Sequence, residues 1–514
     1  MNPLPLEAEQ NGTRIENPAA AAKAIKPSWW LWVPWVWMFF AATRTPSTWL
    51  MGSSGKIATE EVGTGNPIDR LIMTSLMALG LIVLGLRWEQ TKRILVRNKW
   101  VVALFLFMGL SMIWSNYPAI TFRRYNRSVG TLEMALVVLT ERNTLEAIRA
   151  LLRRLFLVHV TLSVATVKYF RHIGVGYDYS GNEEQWIGLT TDKNSLGQVV
   201  SSSGLFYIWQ ILQDWRARQK KRGWAKLAMN MGLLLMSLWL LRGSKSSHSS
   251  TAIVGFFLCT AIFVGLQFIK KRQKRARQIF LAVAIASALL APFIYFAAVV
   301  LDVSPVKMMV AATGRDMTFT DRTLIWSDVL NDTADSRVLG VGLGAFWIGP
   351  IGYAKYPLPN WSLKTPGWRP EEGHNGFVDV CAELGVVGLI LMLVVIGMAY
   401  AGTIKELETD FEFGSLRLIM LTIVVTNNLT ETSFLKGTHF MWFLFLLVAI
   451  NVPRAPRQIL KSQGKSAAAT DATWSAWGHD AGQVIESEEL PVPAAAGNSQ
   501  SLSALSNAAS PRHA

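Results

Sequence analysis

Apolar runs alternate with short polar stretches along nearly the whole chain, and most runs are long enough to be read as helices in a bilayer. A bilayer core takes roughly 20 apolar residues per helix. The pattern predicts twelve spans, near 29–43, 68–86, 100–114, 128–140, 155–169, 194–213, 227–241, 251–269, 278–300, 375–401, 415–430 and 438–452. The first run carries Trp29, Trp30, Trp32, Trp35 and Trp37, which suit a membrane–water interface. The expectation is an all-α polytopic membrane protein with a long polar loop, 301–374, between the ninth and tenth helices.

Basic residues give this pattern a direction. Arg87, Lys92, Arg93, Arg97 and Lys99 separate spans two and three. Arg216, Arg218, Lys220, Lys221, Arg222 and Lys226 separate six and seven, and Lys270, Lys271, Arg272, Lys274, Arg275 and Arg277 separate eight and nine. With twelve spans these three loops share one side, the cytoplasm by the positive-inside rule, together with both termini. The opposite face receives 44–67, 115–127, 170–193, 242–250 and 301–374. Residues 1–28 form a polar tail without the pattern of a cleaved leader. Residues 453–514 are rich in Ala, Ser, Gly and Pro, too poor in apolar surface to offset ordering. Three parts follow: a disordered tail 1–28, a membrane domain 29–452 and a disordered tail 453–514.

Composition narrows the class. Apolar residues make up 51% of the chain and charged ones 17%, which argues against a water-soluble fold of this length. The net charge of +15 lies between apolar runs, so it reads as topology and not as a nucleic-acid surface. Cys259 and Cys381 fall in separate runs and predict no disulfide framework.

Polar chemistry collects in five patches on the outer face. Trp114-Ser115-Asn116-Tyr117-Pro118 leads to Arg123, Arg124 and Arg127, which read as a turn followed by interfacial arginines. Trp186-Ile187-Gly188 precedes Lys193-Asn194-Ser195-Leu196-Gly197, where exposed helix amides suit a phosphate or sugar, or an ordinary N-cap. Arg242-Gly243-Ser244-Lys245 opens a run of hydroxyls through Thr251, fit for anions or for a soluble turn. Arg315 and Arg322 are seven residues apart, one face of a helix, with Trp326 four further on. Guanidinium forks suit phosphate, while pairing with neighbouring aspartates is the plainer role.

The fifth patch is Gly373-His374-Asn375 at the mouth of a span that carries Glu383, with Asn428-Leu429-Thr430-Glu431 on the same face. A histidine there can exchange protons. An acid two turns into the membrane is costly unless paired or functional. Gly340-Val341-Gly342-Leu343-Gly344 lacks the βαβ context of a nucleotide loop.

In this order the patches resemble the O-antigen ligase and polysaccharide polymerase superfamily of bacterial membrane glycosyltransferases, with the signature spread over about 186–433. Lys193-Asn194 and Gly314-Arg315-Asp316 are most similar to the exopolysaccharide, succinoglycan-type polymerase branch. The chain departs from that pattern at Asp321-Arg322, where the branch often has Gly-Arg, and at Lys245, where many ligases have arginine.

The resemblance implies a GT-C-like fold in the bacterial inner membrane with its site facing the periplasm. It implies transfer of repeat units from an undecaprenyl-pyrophosphate donor to a polysaccharide or lipid-linked glycan acceptor, with inversion. His374 would be the general base, and Lys245, Arg315 and Arg322 would hold the pyrophosphate. Arg242, Lys193, Asn194, Asn375, Glu383 and Glu431 would make lesser substrate contacts. No metal or cofactor and no nucleic acid is expected. Membrane lipid and a chain-length regulator are the further partners. A ligase acting on the lipid A core shares these motifs, as do relatives that glycosylate proteins. A lipid-sugar flippase would place charges along the middle of several spans.

Overall fold

The computed structural model describes residues 27–51, 66–177, 183–216, 223–244, 248–270, 278, 322–348 and 370–453. The described residues all belong to one compact unit. The expected tails 1–28 and 453–514 lie outside the described residues apart from 27–28 and 453, as do most of the ninth span and much of the 301–374 loop.

The helices are α1 (Trp32–Ala42), α2 (Pro46–Met51), α3 (Pro67–Leu86), α4 (Trp88–Arg97), α5 (Lys99–Leu110), α6 (Pro118–Leu139), α7 (Thr144–Tyr169) and α8 (Arg171–Gly174). After these come α9 (Lys193–Arg216), α10 (Gly223–Arg242), α11 (Ser250–Ile269), α12 (Arg322–Asp332), α13 (Gly376–Thr409), α14 (Phe411–Asn427) and α15 (Phe440–Ala449). Among the described residues five helices are long and apolar enough to cross a membrane, namely α3, α7, α10, α11 and α13. The chain is not wholly helical, because strands β1 (Val175–Tyr177) and β2 (Glu184–Trp186) pair antiparallel with Val175 opposite Trp186.

Two helices begin earlier than the apolar pattern predicts. Proline at its first position and the Ser115 hydroxyl accepting from Tyr117 N–H at 3.1 Å start α6 at Pro118, so Arg123, Arg124 and Arg127 are helical. Asn143 caps α7 by accepting from Glu146 N–H at 3.2 Å. Arg149 then donates to Gln210 at 2.8 Å and lies over the Trp209 ring, while Arg154 lies over Trp32. Hydropathy reads such arginines as loop, yet their stems pack along the helix while the heads find partners.

The centre belongs to α14 and α15. Every residue from Phe413 to Asn427 is buried, as is every residue of α15. A helix apolar on all sides belongs in the middle of a bundle, and α14 packs against α11, α13 and α15. Buried Arg417 closes the end of this pair, donating to Val448 O at 2.9 and 2.7 Å and pairing with Glu406 at 2.5 Å.

Helix α13 breaks at Gly385, whose φ of 66° is left-handed. The break frees four backbone groups, and the segment 337–342 takes all of them. Val341 and Gly342 donate to Ala382 O and Glu383 O at 3.0 and 2.9 Å. Val386 and Val387 donate in turn to Arg337 O and Val338 O at 2.8 and 3.2 Å. Each such buried group left unpaired costs about 1–3 kcal/mol, so the glycine-rich segment is what makes the break tolerable. Gly340 (φ 72°) allows the approach, since a Cβ there would lie 2.4 Å from Glu383 O.

Candidate active site

The mouth of α13 is built to hold one histidine in a fixed pose. Asn375 caps the helix, accepting from Phe377 and Val378 N–H at 3.0 and 3.3 Å. Gly376 N–H donates to Asn428 O at 2.8 Å, which ties this mouth to the end of α14. Gly373 is gripped from both sides. Its N–H donates to the Asp379 carboxylate at 3.1 Å, and its carbonyl accepts from Trp326 Nε1 at 2.7 Å. Trp347 Nε1 holds the same carboxylate at 2.9 Å. Between these anchors His374 adopts φ 49°, a left-handed conformation that costs a side-chain-bearing residue roughly 1–2 kcal/mol.

Around that ring lies a chain of alternating charge. His374 Nδ1 is 3.1 Å from Glu372 Oε1 and 3.2 Å from Glu431 Oε2. Arg322 Nη2 meets Glu431 Oε1 at 2.8 Å, and its Nη1 donates to Thr430 O. Lys436 pairs with the other oxygen of Glu372. Facing two carboxylates, Nδ1 carries a proton, which leaves Nε2 for a substrate. Burial pulls the His374 pKa down, but the bonds to Glu372 and Glu431 more than reverse this and raise it to about 9. Burial likewise pushes Glu372 up, and Lys436 with His374 holds it well below the usual carboxylate range.

The ligand atoms of Glu372, His374 and Glu431 lie within 4.8 Å of one another, a spacing that also suits a divalent cation. Lys436 and Arg322 already neutralise both carboxylates, so a cation would compete with two resident charges.

The other expected residues are placed differently from one another. Lys245 and Arg315 lie outside the described residues, so the helical face shared by Arg315 and Arg322 does too. Arg322 opens α12 and reaches across the fold to Glu431, so its partner is distant in sequence. Arg242 is exposed at the end of α10. At α9 the amides proposed for phosphate are occupied, since Asn194 and Ser195 N–H both donate to Asp192 Oδ1 at 2.9 Å. The ordinary cap is the arrangement present at those amides. Glu383 sits at the break in α13 and accepts a hydrogen bond from Gly344 N–H. Trp114 donates to Leu339 O at 3.2 Å, so that motif braces the glycine-rich segment.

Sequence reasoning missed Glu372, Asp379, Lys436 and His439. His439 also stands at a helix mouth, its Nδ1 accepting from Met441 N–H at 3.2 Å to cap α15. Capping residues just before apolar runs were the available signal. Beside the charged chain opens a cavity of about 310 Å³, lined by Arg124, Arg127, Trp347, Glu383, Lys436 and His439 among others.

Comparison with known proteins places this site in context. The O-antigen ligase family matches residues 231–393. The exopolysaccharide production protein ExoQ of Rhizobium meliloti is 24% identical over 369 residues, 70% of this chain and 78% of its own length. A candidate polysaccharide ligase of Rickettsia conorii is 24% identical over 278 residues, 49% of this chain and 65% of its own length. The matched family segment contains Arg322, His374 and Glu383, while Glu431 and Lys436 come from the loop between α14 and α15. Residues 231–393 thus match the O-antigen ligase family, and the five apolar helices with the similarity to ExoQ fit a membrane protein of polysaccharide biosynthesis.

Proposed function

We propose that the protein polymerises exopolysaccharide or O-antigen repeat units, joining a glycan carried on undecaprenyl pyrophosphate to a sugar hydroxyl of an acceptor glycan. The observation that carries this reading is the Glu372–His374–Glu431–Arg322 chain at the mouth of α13. Similarity to a protein named for exopolysaccharide production favours polymerisation over transfer to the lipid A core. Charges gathered at a helix mouth suit bond chemistry better than a flippase pathway.

In this reading the acceptor oxygen attacks the anomeric carbon, its proton passes to His374 Nε2, and the bond to the diphosphate breaks with inversion. Undecaprenyl diphosphate leaves with the bonding electron pair. Lys245, Arg315 and Arg322 offset its growing charge, with Arg242, Lys193 and Asn194 as outer contacts. Arg322 is also held by Glu431 and Thr430, so it positions the carboxylate that orients His374. With a pKa about 9, only about 1% of His374 is neutral at pH 7. The two-carboxylate grip therefore favours a second role, in which imidazolium stabilises the diphosphate. In this reading the reaction proceeds without a divalent metal, which the pairing of Lys436 with Glu372 and of Arg322 with Glu431 supports.

The membrane domain is taken as 29–452, with twelve spans in the inner membrane, the 301–374 loop and His374 on the periplasmic face, and both tails cytoplasmic. Substituted-cysteine labelling at position 374 tests the orientation, and labelling only from the cytoplasm overturns it. The reaction is tested with labelled lipid-linked repeat unit, purified protein and products sized on a gel. A ladder of increasing length is expected, and it is lost with His374→Ala. Unextended single units from the intact protein, or a normal ladder from the variant, overturn the reading.

A further inference from the structure

Helix α4 joins α3, which is long enough to cross a membrane, to the apolar α5. A short amphipathic helix in that position lies where bilayer meets water. Its Thr91 and Ile94 are buried, and Asn98 pins its end to the segment after α15. The Asn98 side chain donates to Asn451 O at 2.9 Å and accepts from Asn451 N–H at 2.8 Å. The opposite face is exposed and carries Lys92, Arg93 and Arg97, with Lys99 just beyond. None of these four cations has an ion-pair partner among the described residues. Glu89 is the one acid of the helix.

Apolar groups stand among these cations. Trp88, Val96 and Trp100 are exposed. Trp88, Lys92 and Val96 are four residues apart and form one stripe, with Glu89, Arg93 and Arg97 on the next. Between this face and Pro453 runs an open cleft of about 430 Å³, lined by Glu89, Lys92, Arg93, Val96 and Arg97. The paired bonds between Asn98 and Asn451 fix its two walls relative to each other. The cleft is remote from the His374 cluster. Helix α15 is capped by His439, which lines the cavity beside that cluster, and its other end leads to Asn451. That helix puts about 15 Å between the two places.

We propose that this cleft binds a bilayer phospholipid with a net negative headgroup, its phosphate among Lys92, Arg93 and Arg97 and its chains starting along Trp88 and Val96. Three cations against one acid attract such a headgroup, and each lysine or arginine near the surface adds to the attraction. A zwitterionic headgroup brings its own ammonium into the same field and loses most of that gain. Free phosphate would satisfy the cations but leave the neighbouring tryptophan and valine in water, whereas a lipid covers both. Charge alone would orient this loop in a membrane, but a folded and pinned helix also fixes where the phosphate sits.

The test uses the full-length purified chain in detergent, with phosphatidylglycerol and phosphatidylcholine of identical acyl chains as probes and native mass spectrometry to count bound lipid. Phosphatidylglycerol should bind at least about tenfold more tightly than phosphatidylcholine, and less so as salt is raised. The triple variant Lys92→Gln, Arg93→Gln, Arg97→Gln should lose that preference, while Arg142→Gln, at another exposed cation, should keep it. The three residues are exposed, so the variant is expected to fold. Arg93→Gln alone, expected to weaken phosphatidylglycerol binding about threefold, carries the test if the triple variant does not fold. Equal binding of the two lipids overturns the proposal, as does a preference that survives the α4 substitutions or is lost equally with Arg142→Gln. Displacement of phosphatidylglycerol by inorganic phosphate would make the cleft a site for a free anion and overturn it too. The measurement involves no turnover, so its outcome is separate from that of the polymerase reading.

Discussion

Replacing Glu431 by glutamine tests the charged chain where it is most constrained. The carboxylate is 5% exposed and serves both His374 Nδ1 and Arg322. His374, 24% exposed, has its pKa raised from 6.5 to about 9 against the opposing effect of burial. That rise corresponds to about 3 kcal/mol at 1.36 kcal/mol per unit. Two carboxylates share it, so Glu431→Gln should lower the pKa by about one unit, a tenfold change in the neutral fraction at fixed pH. The groups that face the ring are Glu372 and Glu431, backed by Lys436 and Arg322.

The rate of repeat-unit transfer by purified protein, measured from pH 6 to 10, reads this directly. If His374 Nε2 takes the acceptor proton, log rate rises with pH and levels off near 9 in the parent protein, and about one unit lower in the variant. A rate that instead falls as pH rises through 9 assigns the imidazolium to the diphosphate and refutes the base. An identical break in both proteins refutes the coupling of Glu431 to His374. Stability should follow the same groups. A histidine whose folded pKa exceeds its unfolded value contributes fully below about 6.5, and that contribution is lost as pH rises through 9.

Other consequences are open to simple assays. Gly385→Ala places a Cβ 2.2 Å from Val338 O at φ 66°, so it should cost at least ~2 kcal/mol, lower the melting temperature and abolish transfer. An unchanged melt would contradict the brace between 337–342 and α13. Arg322→Lys keeps the charge but loses the paired bonds to Glu431 and Thr430, so transfer should slow at least about tenfold without loss of folded protein. Unchanged turnover removes that role. Chelation with EDTA should leave transfer within twofold, and loss restored by a divalent cation would make Glu372, His374 and Glu431 its ligands.

Apolar runs made most helices legible, because a bilayer demands length and hydrophobicity that little else in a sequence imitates. Arg149, Arg153 and Arg154 disguised the first turns of α7, since hydropathy counts a charge and not the partner it finds. The glycines at 340, 342 and 344 were visible as a run but not as a brace. Their use depends on a helix break at Gly385 more than forty residues onward.

The site divides in the same way. Residue order alone marked His374, Arg322 and Glu431 as chemistry-bearing, because each stands in a polar patch beside an apolar run. Their meeting was decided by packing, as α12, the mouth of α13 and the end of α14 bring together groups 57 and 109 positions apart. Glu372, Lys436 and Asp379 look like ordinary loop or helix charges until those elements converge. A side chain's proton affinity depends on charges within a few ångströms, and such distances exist only once the chain has folded.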